Sequence, residues 1–150
     1  MQNDQIYSEI KTREDFQILN NELDLLEASL YKTGKNGFNE TLNGSIRKSI
    51  ADIINKASGP ESATALEKVI KELRIKLSEI KFMELTLAYD PSYKLLDRLS
   101  IWVKEKVGQN IALSIIVDKE IIGGVIISYE GKYGDFSLDH KLREVLKNYV

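Results

Sequence analysis

The chain has 150 residues, enough for one ordinary domain or two small ones joined by a short hinge. With 21 basic and 23 acidic residues its net charge is −2, which counts against nucleic acid as the main partner, because phosphate binding usually leaves a basic surplus or stripe. There is no cysteine, so disulfides, thiolate metal sites and thiol nucleophiles are excluded.

The first half reads as helix. Thr12 with Asp15 three residues later makes a capping start, and Phe16, Leu19, Leu23, Leu26 and Leu30 follow on one stripe. The turn chemistry of Gly34-Lys35-Asn36-Gly37 is expected to end that helix. A second helix is expected to carry Leu42, Ile46, Ile50, Ile53 and Ala57, with Ser58-Gly59-Pro60-Glu61 as a stop followed by a start. A third helix is the most regular: Leu66, Ile70, Leu73, Leu77 and Ile80 alternate spacings of four and three, with Val69 widening the stripe. Glu67 with Lys71 and Glu72 with Lys76 supply acid-before-base pairs on its wet side.

From Lys81 onward the period shortens. Residues 82–89 are rich in strand formers, and Asp90-Pro91 reads as the cap and first turn of a helix carrying Leu95, Leu96, Leu99, Trp102, Val103 and Val107 before Gly108. Ile111–Val117 is apolar on both faces, which predicts a central strand. Gly123-Gly124 marks a bulge or tight bend. Val125–Tyr129 forms a strand, Glu130-Gly131 a turn, and Lys132–Phe136 a returning strand. A last helix is expected to bury Leu138, Leu142, Val145, Leu146 and Tyr149. The predicted fold class is α+β: about three amphipathic helices, then a small mixed sheet in the order β-α-β-β-β-α. The expected division is a helical region over 1–58, a connecting helix over 59–80 and an α/β domain over 81–150.

Candidate chemistry is sparse. Gly123-Gly124 has neither the spacing of a phosphate-cradling loop nor that of a dinucleotide fingerprint. Ser137, His140 and a nearby acid could be assembled into a hydrolase triad, but no nucleophile-elbow sequence surrounds Ser137. Ser137 reads more simply as the N-cap of the last helix, with Asp139 in its first turn against the dipole. A single histidine cannot make a multi-histidine metal set, and no calcium-loop pattern is present. No catalytic residue, cofactor or metal is therefore expected. The start, Met1 to Tyr7, lacks a secretory layout, and no apolar run approaches the roughly 20 residues of a membrane helix. The expected address is cytoplasmic, with the membrane reached only through partners.

The ordered set Asp118, Gly123, Gly124, Asp135, Ser137 and Leu142 resembles the signature of the delta subunit family of rotary ATP synthases, called oligomycin-sensitivity-conferring protein in mitochondria. That family shows a strand ending in Val-Asp, then Ile-Gly-Gly, a second apolar strand, a short turn and an Asp-x-Ser step into a helix. Upstream, Leu85-Thr86-Leu87-Ala88 and Val107-Gly108-Gln109-Asn110 fit as well, whereas Lys119 stands where proline is usual. The resemblance implies a non-catalytic stator subunit, one copy per complex, on the cytoplasmic face of the membrane. It would link the catalytic head, through the alpha subunits, to b-type stalk helices and so resist rotor torque. Helix-in-groove binding of that partner would fall to the stripe of Leu66, Ile70, Leu73 and Leu77 or to that of Leu95, Leu99, Trp102 and Val103. Other readings are the E-type stalk subunit of a vacuolar-type ATPase, a small nucleic-acid-associated α+β module, and the hydrolase.

Overall fold

In a computed structural model of the chain, residues 5–58 and 63–147 are described, the side chains of Ser58 and Asp139 excepted. The expected stop and start at Gly59-Pro60-Glu61, the dipole contact of Asp139 and the packing of Tyr149 lie outside the described residues. Two compact units emerge: Met1–Ile10 with Glu14–Ile80, and Lys11–Arg13 with Lys81–Val150.

The first unit is helical. Its elements are α1 (Gln5–Ser8), α2 (Arg13–Gly44), α3 (Lys48–Ser58) and α4 (Ala63–Ser78). Gly34 does interrupt α2, with φ 64° and ψ −153°, but the helix resumes at once instead of ending. Glycine alone adopts that conformation without a Cβ penalty. The second predicted helix is corrected. Leu42 belongs to α2, Ile46 sits in a break, and α3 begins only at Lys48. The cause lies 25 residues upstream. The carboxylate of Glu22, itself buried, accepts the Arg47 backbone N–H at 2.9 Å and grips the guanidinium with bonds of 2.8 and 3.0 Å. With that N–H drawn sideways, helix can restart only beyond Arg47, where Ala51 N–H reaches the Arg47 carbonyl at 2.9 Å.

Leu19, Leu23 and Leu26 of α2, Ile50 and Ile54 of α3, and Leu73 of α4 are fully buried. Polar ties surround them. Arg74 bonds Asn20 at 3.1 Å and pairs with Asp24 and Glu27. Tyr7 donates to Glu79 at 2.8 Å, and Ser49 to Glu9 at 2.8 Å.

The second unit is a four-stranded mixed sheet in the order β2-β1-β3-β4, from β1 (Lys81–Leu87), β2 (Ile111–Val117), β3 (Val125–Tyr129) and β4 (Lys132–Asp135). β1 pairs parallel with β2 through the crossover helix α5 (Tyr93–Lys106) and antiparallel with β3, which pairs antiparallel with β4. The expected element order stands, but two details change. First, α5 is capped by Ser92, whose hydroxyl accepts the Leu95 N–H at 3.3 Å, and not by Asp90. Second, β2 is an edge strand, and β1 and β3 are the inner ones. β2 looks central because its first half, Ile111–Ser114, is buried, while Ile116 and Val117 are exposed.

Part of that edge is covered by Lys11–Arg13. Thr12 bridges Leu113, and Leu113 N–H bonds the Lys11 carbonyl at 2.8 Å. Lys11 Nζ reaches Asp97 at 2.6 Å and the Tyr93 hydroxyl at 3.3 Å, and its Asp97 partner holds its pKa above the usual lysine value. Arg13 bonds Ser114 at 3.1 Å and lies 4.3 Å over the Phe82 ring. The core of this unit gathers Met83, Leu85, Ile111 and Leu113 under Val103 of α5, with Leu99 packed beside it. The hairpin β3–β4 closes on Glu130 (φ 48°) and Gly131 (φ 76°), the two positive φ values of a type I′ turn.

Candidate interaction site

The end of β2 leads into a turn built by Asp118. Its backbone N–H bonds the Leu87 carbonyl at 2.8 Å, and its carboxylate accepts the Glu120 N–H at 2.9 Å, an Asx turn. The chain then passes Gly123 (φ 125°) and Gly124 (φ 85°) into β3. Space as well as torsion requires glycine here. A Cβ on Gly124 would stand 2.4 Å from the Phe136 carbonyl oxygen and 2.8 Å from Ser137 Cα. A Cβ on Gly123 would stand 3.1 Å from Leu138 Cδ1.

The segment pressed against those glycines, Phe136 to Leu138, leads from β4 into the last helix, α6 (Leu138–Lys147). Phe136 N–H bonds the Val125 carbonyl and Leu138 N–H the Gly123 carbonyl, both at 2.9 Å. Asp135 accepts the Ser137 N–H at 2.9 Å, and buried Ser137 accepts the His140 N–H at 3.3 Å, capping α6. The Ser137 hydroxyl, and then its N–H, hold the Asp135 carboxyl below the usual aspartate value. The His140 imidazole faces Glu144 Oε1 at 3.4 Å along the helix. Ser137 thus acts as a cap and His140 as half of a helix-surface pair, so the two are not set up as nucleophile and base. The Gly-Gly turn and the Asp-x-Ser step, eleven residues apart in sequence, form one latch.

The expectation that α6 buries its apolar stripe is overturned. Leu138 and Leu142 are 49% exposed, Val145 53% and Leu146 59%. The stripes expected to receive a partner lie elsewhere and are filled from within their own units. Leu66, Ile70, Leu73 and Leu77 of α4 are buried, as is Val103 of α5, and Leu95 and Leu99 are half-buried. Of those eight side chains Trp102 alone is exposed, at 54%, beside Ile101. Sequence periodicity missed the α6 face because the same spacing serves a buried and an open stripe equally well.

These features define a class: a two-unit α+β protein, helical in one unit and β-α-β-β-β-α in the other, whose glycine turn and serine cap position an outward-facing amphipathic helix. More particularly, the chain belongs to the ATP synthase delta (OSCP) subunit family, whose model matches residues 27–148. It is similar to the proteins named ATP synthase subunit delta of Ureaplasma parvum serovar 3 and Ureaplasma urealyticum serovar 10. With each it is 30% identical over 112 residues, covering 72% of this chain and 63% of the relative. The chain thus spans about 63% of the length of these relatives. A chain of a solved Toxoplasma gondii mitochondrial ATP synthase hexamer aligns over 89% of this chain and 86% of its own, at 10% identity and a TM-score of 0.39. No helix among the described residues is long and apolar enough to cross a membrane.

Proposed function

We propose that this protein is a non-catalytic peripheral-stalk subunit of a rotary proton-translocating ATP synthase. It ties the catalytic head to b-type stalk helices so that the head resists rotor torque. The observation that carries this reading is the family match across residues 27–148, which includes the whole latch of Gly123, Gly124, Asp135 and Ser137. The partners are a b-type stalk subunit and the alpha subunits, with one copy of this chain per complex, held peripherally at the cytoplasmic face of the membrane.

The physical properties suit such a task. A coupling subunit needs rigid scaffolding and apolar helical faces for partner helices. Stiff packing is supplied by the helical unit, and open faces by α6 and by Trp102 of α5. On this reading residues 81–150 form the stalk-binding domain and residues 1–58, with the connecting segment 59–80 that contains α4, the support toward the head. Affinity purification of the tagged chain from its native membrane tests the assignment. Alpha, beta and b-type subunits are expected to accompany it; a preparation free of all three overturns it.

A further inference from the structure

We propose that the helical unit opens at Gly34 and that two copies of this chain then exchange their amino-terminal arms, residues 5–33, around a straightened α2. In the closed form α2 doubles back at this glycine. A straight helix would carry Gly44 about 33 Å from Glu22. Arg47 lies three residues further on and could recover no more than about 11 Å of that, and the two side chains are too short to close the rest. Glu22 nevertheless grips Arg47 with bonds of 2.8 and 3.0 Å. Residues 13–33 and 35–44 therefore form a helical hairpin whose turn is a single residue. Antiparallel helices are ordinarily joined by about two to five.

Only glycine makes so short a turn. With φ 64° and ψ −153°, Gly34 lies in a region that residues with a Cβ hardly enter. Gly37 is held as closely, for a Cβ there would stand 1.6 Å from Thr33 Oγ1. In a straight α2 the preference reverses. Both positions become helix interior, where glycine is the poorest residue after proline. The hairpin needs the two glycines and the straight helix suffers from them, so these positions set the balance between two forms of one element.

A second copy is the partner that fits the open form, because it carries the arm's own contacts. Long-range ties of the arm run to residues beyond the hinge: Tyr7 to Glu79, Glu9 to Ser49 and Glu22 to Arg47. Each of them reforms between two copies once the arm swings out, as does the burial of Leu19, Leu23 and Leu26. An unrelated helix does not present those groups in that register. The straightened helices, 32 residues each, would cross antiparallel at Gly34 of either copy, where neither brings a side chain. Buried contacts are then the same in both forms, and the hinge and the protein concentration decide between them.

The test uses the whole chain, with mass read by light scattering after size-exclusion chromatography. The wild-type chain is expected to be monomeric when dilute and to give some dimer when refolded from urea at high concentration. Gly34→Ala should lower the dimer dissociation constant at least tenfold and keep the helical signal. Two extra glycines inserted after Gly34 relax the turn and should suppress the dimer. Exchange itself is read by mixing two variants that retain Gly34. Glu22→Arg sets two cations against each other within one chain, and Arg47→Glu sets two acids, so each alone should be destabilised. Exchange pairs opposite charges in both halves of a mixed dimer, and the two variants refolded together should form it in equal proportion. A folded monomer of Gly34→Ala overturns the hinge. An unfolded Gly34→Ala chain overturns it too, since the straight form was then no alternative. A Gly34→Ala dimer with no mixed dimer from the charge-reversed pair marks an ordinary surface association and overturns the exchange. Wild-type chain that stays monomeric after concentrated refolding overturns opening in the native sequence.

Discussion

Helices α4 and α6 carry nearly the same pattern and meet opposite fates. In α4, Leu66, Ile70 and Leu73 are spaced four and three, as Leu138, Leu142 and Val145 are in α6. The first three are at most 5% exposed, and the second three are at least 49% exposed. A period reveals that a helix has an apolar face; it does not reveal whether the chain itself covers that face. Substitution separates the two cases. Leu73→Ala removes a side chain with no exposed surface and is expected to cost about 3 kcal/mol, transfer and cavity terms together. Leu142→Ala should stay within about 0.5 kcal/mol. Urea unfolding of both variants measures the contrast, and equal losses would mean that the α6 face is packed in the free chain.

A second contrast within the helical unit is polar. Glu22 is buried and serves two donors of one residue, the Arg47 backbone N–H and its guanidinium, while the Arg74 network is more open to water. The Glu22 carboxylate keeps the Arg47 pKa above the usual arginine value. Glu22→Ala leaves a partly buried cation and a helix-start N–H without their acceptor. The expected loss is about 2 kcal/mol, below the 3–5 of a fully buried broken pair because the Arg47 side chain is 34% exposed. Asp24→Ala, at a side chain 65% exposed, should cost no more than about 1 kcal/mol. If the two variants melt at the same denaturant concentration, Glu22 is not the pin between α2 and α3.

Much of this architecture was legible in the residues. The stripe of α4, the interruption at Gly34, the strand-helix-strand order after Lys81 and the turns at Glu130-Gly131 and Gly123-Gly124 all rest on local chemistry. What escaped was set at a distance. The break at Arg47 depends on Glu22, which no window around Arg47 contains. The edge position of β2 was hidden because Lys11–Arg13 covers part of its outer side from a hundred residues away. The glycines could be read as a bend, but only the structure shows the Phe136 carbonyl passing 2.4 Å from where a Cβ would stand.

That close approach separates two glycines with similar torsions. Gly124 (φ 85°) is crowded by backbone, whereas Gly131 (φ 76°) has open space where a side chain would go. Gly131→Ala should cost about 1 kcal/mol from conformation alone. Gly124→Ala carries the same torsional cost and must also displace backbone, so a loss larger by about 1 kcal/mol is expected. Thermal unfolding of the two variants reads the difference directly. Equal losses would leave the latch without a steric component.

The smallest effect is local and depends on pH. Asp135 titrates below the ordinary aspartate value of 3.8 because the Ser137 hydroxyl and N–H favour its ionised form, with His140 and Arg143 acting in the same sense. A carboxylate whose folded-state pKa is depressed contributes stability that is present above its unfolded value and lost as pH falls through the folded one. The cap of α6 should therefore hold from neutrality down to about pH 4 and loosen only below 3.8, starting at the Ser137 and His140 amides. Hydrogen exchange at those two amides, corrected for the intrinsic pH dependence of exchange, provides the measurement. Asp135→Asn can still accept the Ser137 N–H but no longer titrates, so its protection should start slightly lower and stay flat over the same range. Superimposable profiles for the two proteins would show that Asp135 plays no part in holding α6, and the latch would then rest on the glycines and Ser137 alone.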